Sequence, residues 1–214
     1  MQRALARDGP DAARTRRSDL SGGGSIAQVR SRLLIGLVLA VILGVQVAGL
    51  MLMGRPWICP CGSVKLWHGV IDSAETSQHL LDWYSATHVL HGILFFAGVR
   101  LILPRLAVRQ LALIALAVEV GWELIENTPV IVERYRVQAL ARGYTGDSIL
   151  NSLSDSAMAM FGLGLAAWLP IRITIGLVLA VEIGLAAIVR DNLTLNVLQL
   201  IHPVAAISAW QAGR

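Results

Sequence analysis

The chain has 214 residues, 55% of them hydrophobic and 15% charged, with a mean hydropathy of +0.63. Soluble domains typically carry about 25% charged residues, so this composition excludes an ordinary water-soluble fold and points to a membrane. The net charge of +4 and isoelectric point near 9.7 come mostly from arginines near the N-terminus, which argues against a nucleic-acid-binding surface.

Arg3, Arg7, Arg14, Arg16, Arg17, Arg30 and Arg32 precede the first apolar run, against Asp8, Asp11 and Asp19, with a Gly22-Gly23-Gly24 break between. Residues 1–30 therefore read as a flexible basic tail on the cytoplasmic side, and 31–214 as the integral membrane domain. Leu33 to Gly54 carries no charge and meets the roughly 20 residues that a hydrocarbon core requires. It is too long for a signal-peptide core and no small-residue cleavage site follows, so it reads as an uncleaved anchor. Residues 55–82 then form an outer loop containing Cys59-Pro60-Cys61. Further spans are expected near Trp83 to Val99, Gln110 to Asn127, Ser148 to Ile171 and Ile173 to Val189. Glu133 to Gly143 reads as another outer loop, and Asn192 to Gly213, interrupted by Pro203, as a sixth span or a re-entrant element. The fold class is all-α, a polytopic bundle of five or six spans.

Polar side chains recur inside these apolar segments at helical spacing: His88 with His91; Glu119, Glu123 and Asn127, with Glu126 beside them; Asp147, Asn151 and Asp155. Residues three, four and eight apart share one helix face, so each set is a stripe. With the N-terminus inside, Glu119, Asp155 and Glu182 each lie eight residues from the outer end of a helix, about 12 Å deep at 1.5 Å per residue. That agreement predicts one polar pocket open to the outer face. Four carboxylates, at Glu119, Glu123, Asp155 and Glu182, would cost roughly 10 kcal/mol if left facing lipid. For any one residue, helix-to-helix hydrogen bonding is a sufficient account, and Asn151 or Ser152 alone reads as polar glue. Two histidines with several carboxylates exceed that need, which leaves a water-filled cavity or a divalent metal site. Zn, Mn or Fe suits the mixed donor set better than Mg. His88, His91, Asp155 and Glu119 are the candidate ligands, and Glu123, Asp147 and Asn151 the candidate catalytic groups.

Arg134, Arg136, Arg142 and Arg190 near the outer mouth are candidates for holding a substrate anion, Arg134 and Arg190 above all. Solvated loop charges, or pairing of Arg190 with Asp191 or Glu182, account for them equally well. Cys59 and Cys61, with His68 nearby, read either as a loop staple or unreactive thiols, or as a second metal or redox site with an incomplete ligand set. His79 reads as solvated, and Trp57, Trp67, Trp83 and Tyr84 as an interfacial aromatic belt.

The strings Gly54-Arg55-Pro56-Trp57-Ile58-Cys59, Lys65-Leu66-Trp67-His68-Gly69, Trp122-Glu123-Leu124-Ile125-Glu126-Asn127 and Gly146-Asp147-Ser148-Ile149-Leu150-Asn151, with Arg190 to Asn196, resemble an uncharacterised bacterial inner-membrane family over about Gly54 to Trp210. That resemblance implies a multi-pass protein of the bacterial inner membrane and carries no activity. More distantly, the order Asp82, His88, Glu119 or Glu123, Asp147 or Asp155, and Asn151 resembles the VanZ-like membrane proteins associated with glycopeptide resistance. The Cys59/Cys61 loop and the doubled histidine depart from that pattern.

The leading functional expectation is a metal-dependent hydrolase or transferase at the periplasmic face, acting on a lipid-linked or phosphorylated envelope substrate. The alternatives are a permease or proton- or cation-binding membrane protein, and a structural or assembly protein.

Overall fold

The computed structural model describes residues 10–138, 140–141 and 143–213. The chain divides into two compact units, residues 1–41 and 42–214. A single helix, α1 (Pro10–Leu52), passes through both ranges. In the first unit it exposes Leu33, Leu34, Leu37 and Val41, a surface suited to hydrocarbon. Its last turns belong to the second unit.

The second unit is built from seven further helices among the described residues: α2 (Ser85–Ile102), α3 (Val108–Glu126), α4 (Pro129–Arg136), α5 (Ile149–Trp168), α6 (Ile171–Val189), α7 (Leu193–Ile201) and α8 (Ala205–Ala212). Among the described residues three segments are long and apolar enough to cross a membrane: Gln28–Leu52 of α1, α2 and α6. Of the three, α2 is the central one, with 44% of its apolar window buried inside the protein against 11% for the other two. Helices α3 and α5 have comparable lengths of 19 and 20 residues, but they spend part of their surface on the polar stripes.

The expected helix ends follow local chemistry. Helix α3 stops at Asn127 because the residue before a proline disfavours helix, and Pro129, with its preset φ, opens α4. The stretch expected as loop from Glu133 is therefore helical as far as Arg136. Ser148 caps α5 by accepting the Asn151 N–H at 3.1 Å, and Asn192 caps α7 by accepting that of Leu195 at 2.7 Å. Pro203 breaks the C-terminal apolar stretch into α7 and α8. At nine and eight residues these rise only about 14 and 12 Å, so neither crosses a core about 30 Å thick.

Helix α2 packs most extensively on α5 and then on α3. Glycine makes the α2–α5 approach that close. A Cβ at Gly92 would run into the Ala159 carbonyl, and one at Gly162 into that of Val89, so each helix offers a notch to the other's backbone. Leu90, Ile93 and Val89 form the apolar core of this contact. Between α1 and α2 the loop 53–84 holds a two-residue parallel pair, β1 (Trp67–His68) against β2 (Leu81–Asp82), with Trp67 opposite Leu81 and His68 opposite Asp82.

Candidate functional site

Three helices bring their stripes together. On α2, three-residue spacing puts His88 and His91 on one face, their rings 4.9 Å apart. Opposite them on α3 stands Glu119, fully buried. Its two oxygens are divided between the histidines: Oε1 lies 2.6 Å from His88 Nδ1 and Oε2 lies 3.2 Å from His91 Nδ1. Glu123, one turn along α3 and also fully buried, accepts the Ser152 hydroxyl on Oε2 at 2.6 Å. Its Oε1 lies 3.3 Å from His88 Nδ1 and has no hydrogen-bond partner. Phe95 stacks on His91 at 5.5 Å and Trp122 meets it edge-on at 5.9 Å, fixing the ring plane.

Asp155, expected beside these ligands, faces the other nitrogen of His88. Its Oδ2 lies 3.8 Å from Nε2, while Oδ1 accepts the Ser85 hydroxyl at 2.9 Å. The ligand atoms of His88, His91 and Glu119 fall within 4.8 Å of one another, as do those of His88, Glu123 and Glu126, and Asp155 belongs to neither group. At 3.8 Å its contact with His88 is an ion-pair distance rather than a hydrogen bond.

The cluster opens on a narrow cleft with a cavity volume of about 60 Å³. His88, His91, Glu126 and Asp155 line its floor side, and Tyr84, Tyr135, Tyr144, Asp147 and Asp191 belong to the same wall. Asp147 stands on the turn before α5, accepting the Tyr144 hydroxyl at 2.8 Å and the Asn127 amide at 2.5 Å, while its N–H donates to Asn127 Oδ1 at 2.8 Å. Burial raises its carboxyl above the ordinary value, against the pull of those two side chains. Burial likewise pushes the Asp191 carboxyl, beyond the end of α6, up to about 6, although Asn192 N–H and Tyr84 hydrogen-bond to it.

Other expected site residues are engaged elsewhere. Asn151 donates to the His79 carbonyl at 2.8 Å, tying α5 to the loop before β2, and is absent from the cleft wall. Arg134 donates to the carbonyls of Leu200 and Ile201 at 2.8 and 3.1 Å, closing the end of α7. Arg190 donates to the Trp210 carbonyl at 2.8 Å and lies over its ring. Arg136 is bound to the Tyr144 carbonyl and to Glu133, and Arg142 lies outside the described residues. Glu182, expected to share the pocket, turns to the start of α7 and accepts the N–H groups of Leu193 and Thr194 at 3.0 and 3.2 Å. No lysine or arginine is found among the described residues of the cleft wall.

In the loop, Cys59 and Cys61 are joined by a disulfide, so in this form they act as a staple rather than as thiolate ligands. The groups that gather with them are Glu75 and His79 rather than His68. His79, expected in solvent, is only 2% exposed; its Nε2 lies 2.9 Å from Glu75 Oε2 and its Nδ1 accepts the Lys65 N–H at 3.3 Å. Hydrogen bonds from Lys65 and then His79 lower the Glu75 carboxyl to about 2. Burial lowers His68 below its ordinary value, as does the charge of Lys65.

Sequence reasoning passed over Gln46, Arg55, Tyr135 and Tyr144. Gln46 is the lone amide in an uncharged span, which is a signal in itself. Its amide donates to Ser152 O, Ser152 Oγ and Ser156 Oγ at 3.0, 2.8 and 2.9 Å. Arg55 donates to the carbonyls of Thr145 and Asn127, and its guanidinium occupies the place of a Cβ at Gly146, whose φ is +93°. Gly146 satisfies both constraints, since only a residue without Cβ admits the guanidinium and adopts that backbone freely.

The family model described as "Protein of unknown function (DUF2585)" matches residues 50–213. A UPF0314 protein of Sphingopyxis alaskensis is 46% identical over 177 residues, covering 83% of this chain and 94% of the relative. One of Rhizobium johnstonii is 46% identical over 172 residues, covering 80% and 88%, and one of Novosphingobium aromaticivorans is 41% identical over 196 residues, covering 89% and 93%. No solved structure matches the chain.

Proposed function

We propose that this chain, which belongs to the DUF2585 family, holds a divalent metal ion between α2 and α3 and uses it for hydrolysis or group transfer at the periplasmic face of the bacterial inner membrane. In this reading the polypeptide crosses the bilayer five times, through α1, α2, α3, α5 and α6, with its N-terminus in the cytoplasm and the cleft open to the outside. One observation carries the proposal: two imidazole nitrogens converge on the two oxygens of one fully buried carboxylate, Glu119, beside an open cleft. Zn, Mn or Fe fits this nitrogen and oxygen donor set. His88, His91 and Glu119 are the ligands, and Asp155 is the positioning residue behind His88. When bound, such an ion lowers the pKa of a coordinated water to about 7 and supplies hydroxide at neutral pH. Glu126, on the cleft wall with one oxygen that no donor satisfies, accepts the proton released.

With Arg134 and Arg190 committed to carbonyl groups, the arginine clamp on a substrate anion has no support. The ion itself is then the partner for a phosphoryl or acyl oxygen of a lipid-linked envelope substrate.

Metal content by mass spectrometry tests the reading on full-length protein purified in detergent and reconstituted in turn with Zn²⁺, Mn²⁺ and Fe²⁺. Stoichiometric metal is expected in the wild type, retained in Cys59→Ser/Cys61→Ser and lost in His88→Ala/His91→Ala with helical circular dichroism intact. A folded wild type that takes up none of the three ions overturns it. A second reading, cation binding or permeation without turnover, is favoured by a cleft wall bearing carboxylates and no lysine or arginine among its described residues. It predicts cation flux in proteoliposomes, and turnover in detergent excludes it as the sole function.

A further inference from the structure

Six titratable groups meet at the junction of α2, α3 and α5: the two imidazoles of His88 and His91 and the four carboxylates of Glu119, Glu123, Glu126 and Asp155. One ion held by His88, His91 and Glu119 leaves Glu123 and Glu126 unaccounted for. Both retain a buried oxygen with no hydrogen-bond partner, Glu123 Oε1 and Glu126 Oε2. A buried acceptor without a donor costs roughly 1–3 kcal/mol, and more when charged, so two at one place call for a common partner. The hydroxyls at hand do not supply it: that of Ser152 is given to Glu123 Oε2, and that of Tyr135, which meets the Glu126 carboxyl, leaves Glu126 Oε2 without a partner. The donor atoms of Glu123 and Glu126 lie within 4.8 Å of each other and of a His88 nitrogen, a spacing that a cation closes.

We infer that the centre is dinuclear, with a second divalent cation seated between Glu123 and Glu126 beside the ion held by His88, His91 and Glu119. His88 belongs to both groups, so the two positions are neighbours. Glu119 Oε1 and Glu123 Oε1 lie 2.6 and 3.3 Å from the same His88 Nδ1, which puts these two carboxylates where they can bridge the ions. Two histidines and three glutamates, with Asp155 outside both groups, make a nitrogen and oxygen donor set that suits a pair of Mn or Fe ions. Of the two carboxylates of the second group, Glu126 lines the cleft and Glu123 does not, so the second position is reached from the cleft past Glu126. The inference rests on the metal reading above and refines it: Glu126 becomes a ligand, and a hydroxide shared by two ions replaces the single activated water.

The test is Mn²⁺ loading of full-length wild type, Glu126→Gln and His91→Ala in detergent, read by ion count per chain and by electron paramagnetic resonance. In the wild type about two ions per chain are expected, spin-coupled because ions in such a centre sit roughly 3.5–4 Å apart. Glu126→Gln should drop to one uncoupled ion, whose retention shows that the variant is folded. His91→Ala should lose the other position, and Glu123→Gln should repeat the Glu126→Gln result. One ion per chain in the wild type, unchanged in Glu126→Gln, overturns the dinuclear inference while leaving the metal centre standing. No ion in the wild type overturns both. Loss of both ions in Glu126→Gln and Glu123→Gln alike, with helical circular dichroism intact, also overturns two separable positions.

Discussion

Asp191 offers a measurable link between burial and pH. It is 3% exposed, and burial raises its carboxyl from 3.8 to about 6. In the unfolded chain the group ionises near its ordinary value, so between the two pKa values the folded state holds a proton that the unfolded state has lost. Stability therefore falls as pH rises from about 4 to about 6, and is flat on either side of that window. A rise of that size corresponds to about 3 kcal/mol. At about 2–4 °C per kcal/mol for a chain of this length, the loss amounts to a Tm lower by about 10 °C. Asp191→Asn removes the titration but keeps an oxygen to accept the Asn192 N–H, and the Tyr84 hydroxyl can accept from the new amide. Thermal unfolding of both proteins in one detergent, from about pH 4 to about pH 7, should show the two curves diverging through the window, with the variant the more stable above it. Other carboxylates titrate in the same range, but they contribute equally to both proteins and cancel in the difference. Parallel curves would refute the argument, as would divergence in which the variant is the less stable at neutral pH.

Glycine 162 is predicted to tolerate no side chain: Gly162→Val, aimed at the Val89 carbonyl, should cost about 3 kcal/mol or more in detergent unfolding. Gly164→Ala, which meets nothing within 4 Å, is the matched control and should be neutral or slightly stabilising. Gln46→Leu should lower stability by about 1–3 kcal/mol through the lost partners of Ser152 and Ser156, while metal content stays constant. Asn127→Ala should cost a similar amount, about 2 kcal/mol, because its amide holds Asp147 at both the side chain and the backbone. Arg134→Ala should lower unfolding stability by about 1 kcal/mol and leave metal uptake unchanged; lost uptake at full stability would return that arginine to the site.

The elements that position the cluster were legible because local rules act there without help. Pro129 ends α3, Ser148 starts α5, and i, i+4 spacing puts Glu119 and Glu123 on one face whatever the rest of the fold does. What each group does was less legible, since it depends on how the helices are rotated against one another. Helix periodicity expects Asp155 at the depth of Glu119, yet it faces His88 Nε2 rather than Nδ1, a matter of helix rotation to which the close approach at Gly92 and Gly162 contributes. Arg134 and Arg190 could not be assigned for a related reason: their partners are carbonyl groups, and every residue has one. The loop from 75 to 79 was the least legible. It is pinned by bonds such as Gln78 to the Gly146 carbonyl and Asn151 to the His79 carbonyl, about 70 positions away, and no periodicity signals them. His79 is buried for that reason.

Polar groups that merely join helices should saturate one another, and Gln46 shows what that looks like. Its amide and carbonyl meet the Ser152 and Ser156 hydroxyls, with donors and acceptors in balance and no charge. The cluster that adjoins this network, through the Ser152 hydroxyl on Glu123, is built differently. Four carboxylates stand against two imidazoles, and two of their buried oxygens find no donor although Ser152, Ser85 and Tyr135 give hydroxyls to Glu123, Asp155 and Glu126. Within one bundle, then, the same helices carry a balanced network and an unbalanced one. Helix gluing accounts for the first alone. An excess of buried acceptors at the head of an open cleft is the complement of a cation, and it is the imbalance, more than the number of ionisable groups, that argues for a bound metal.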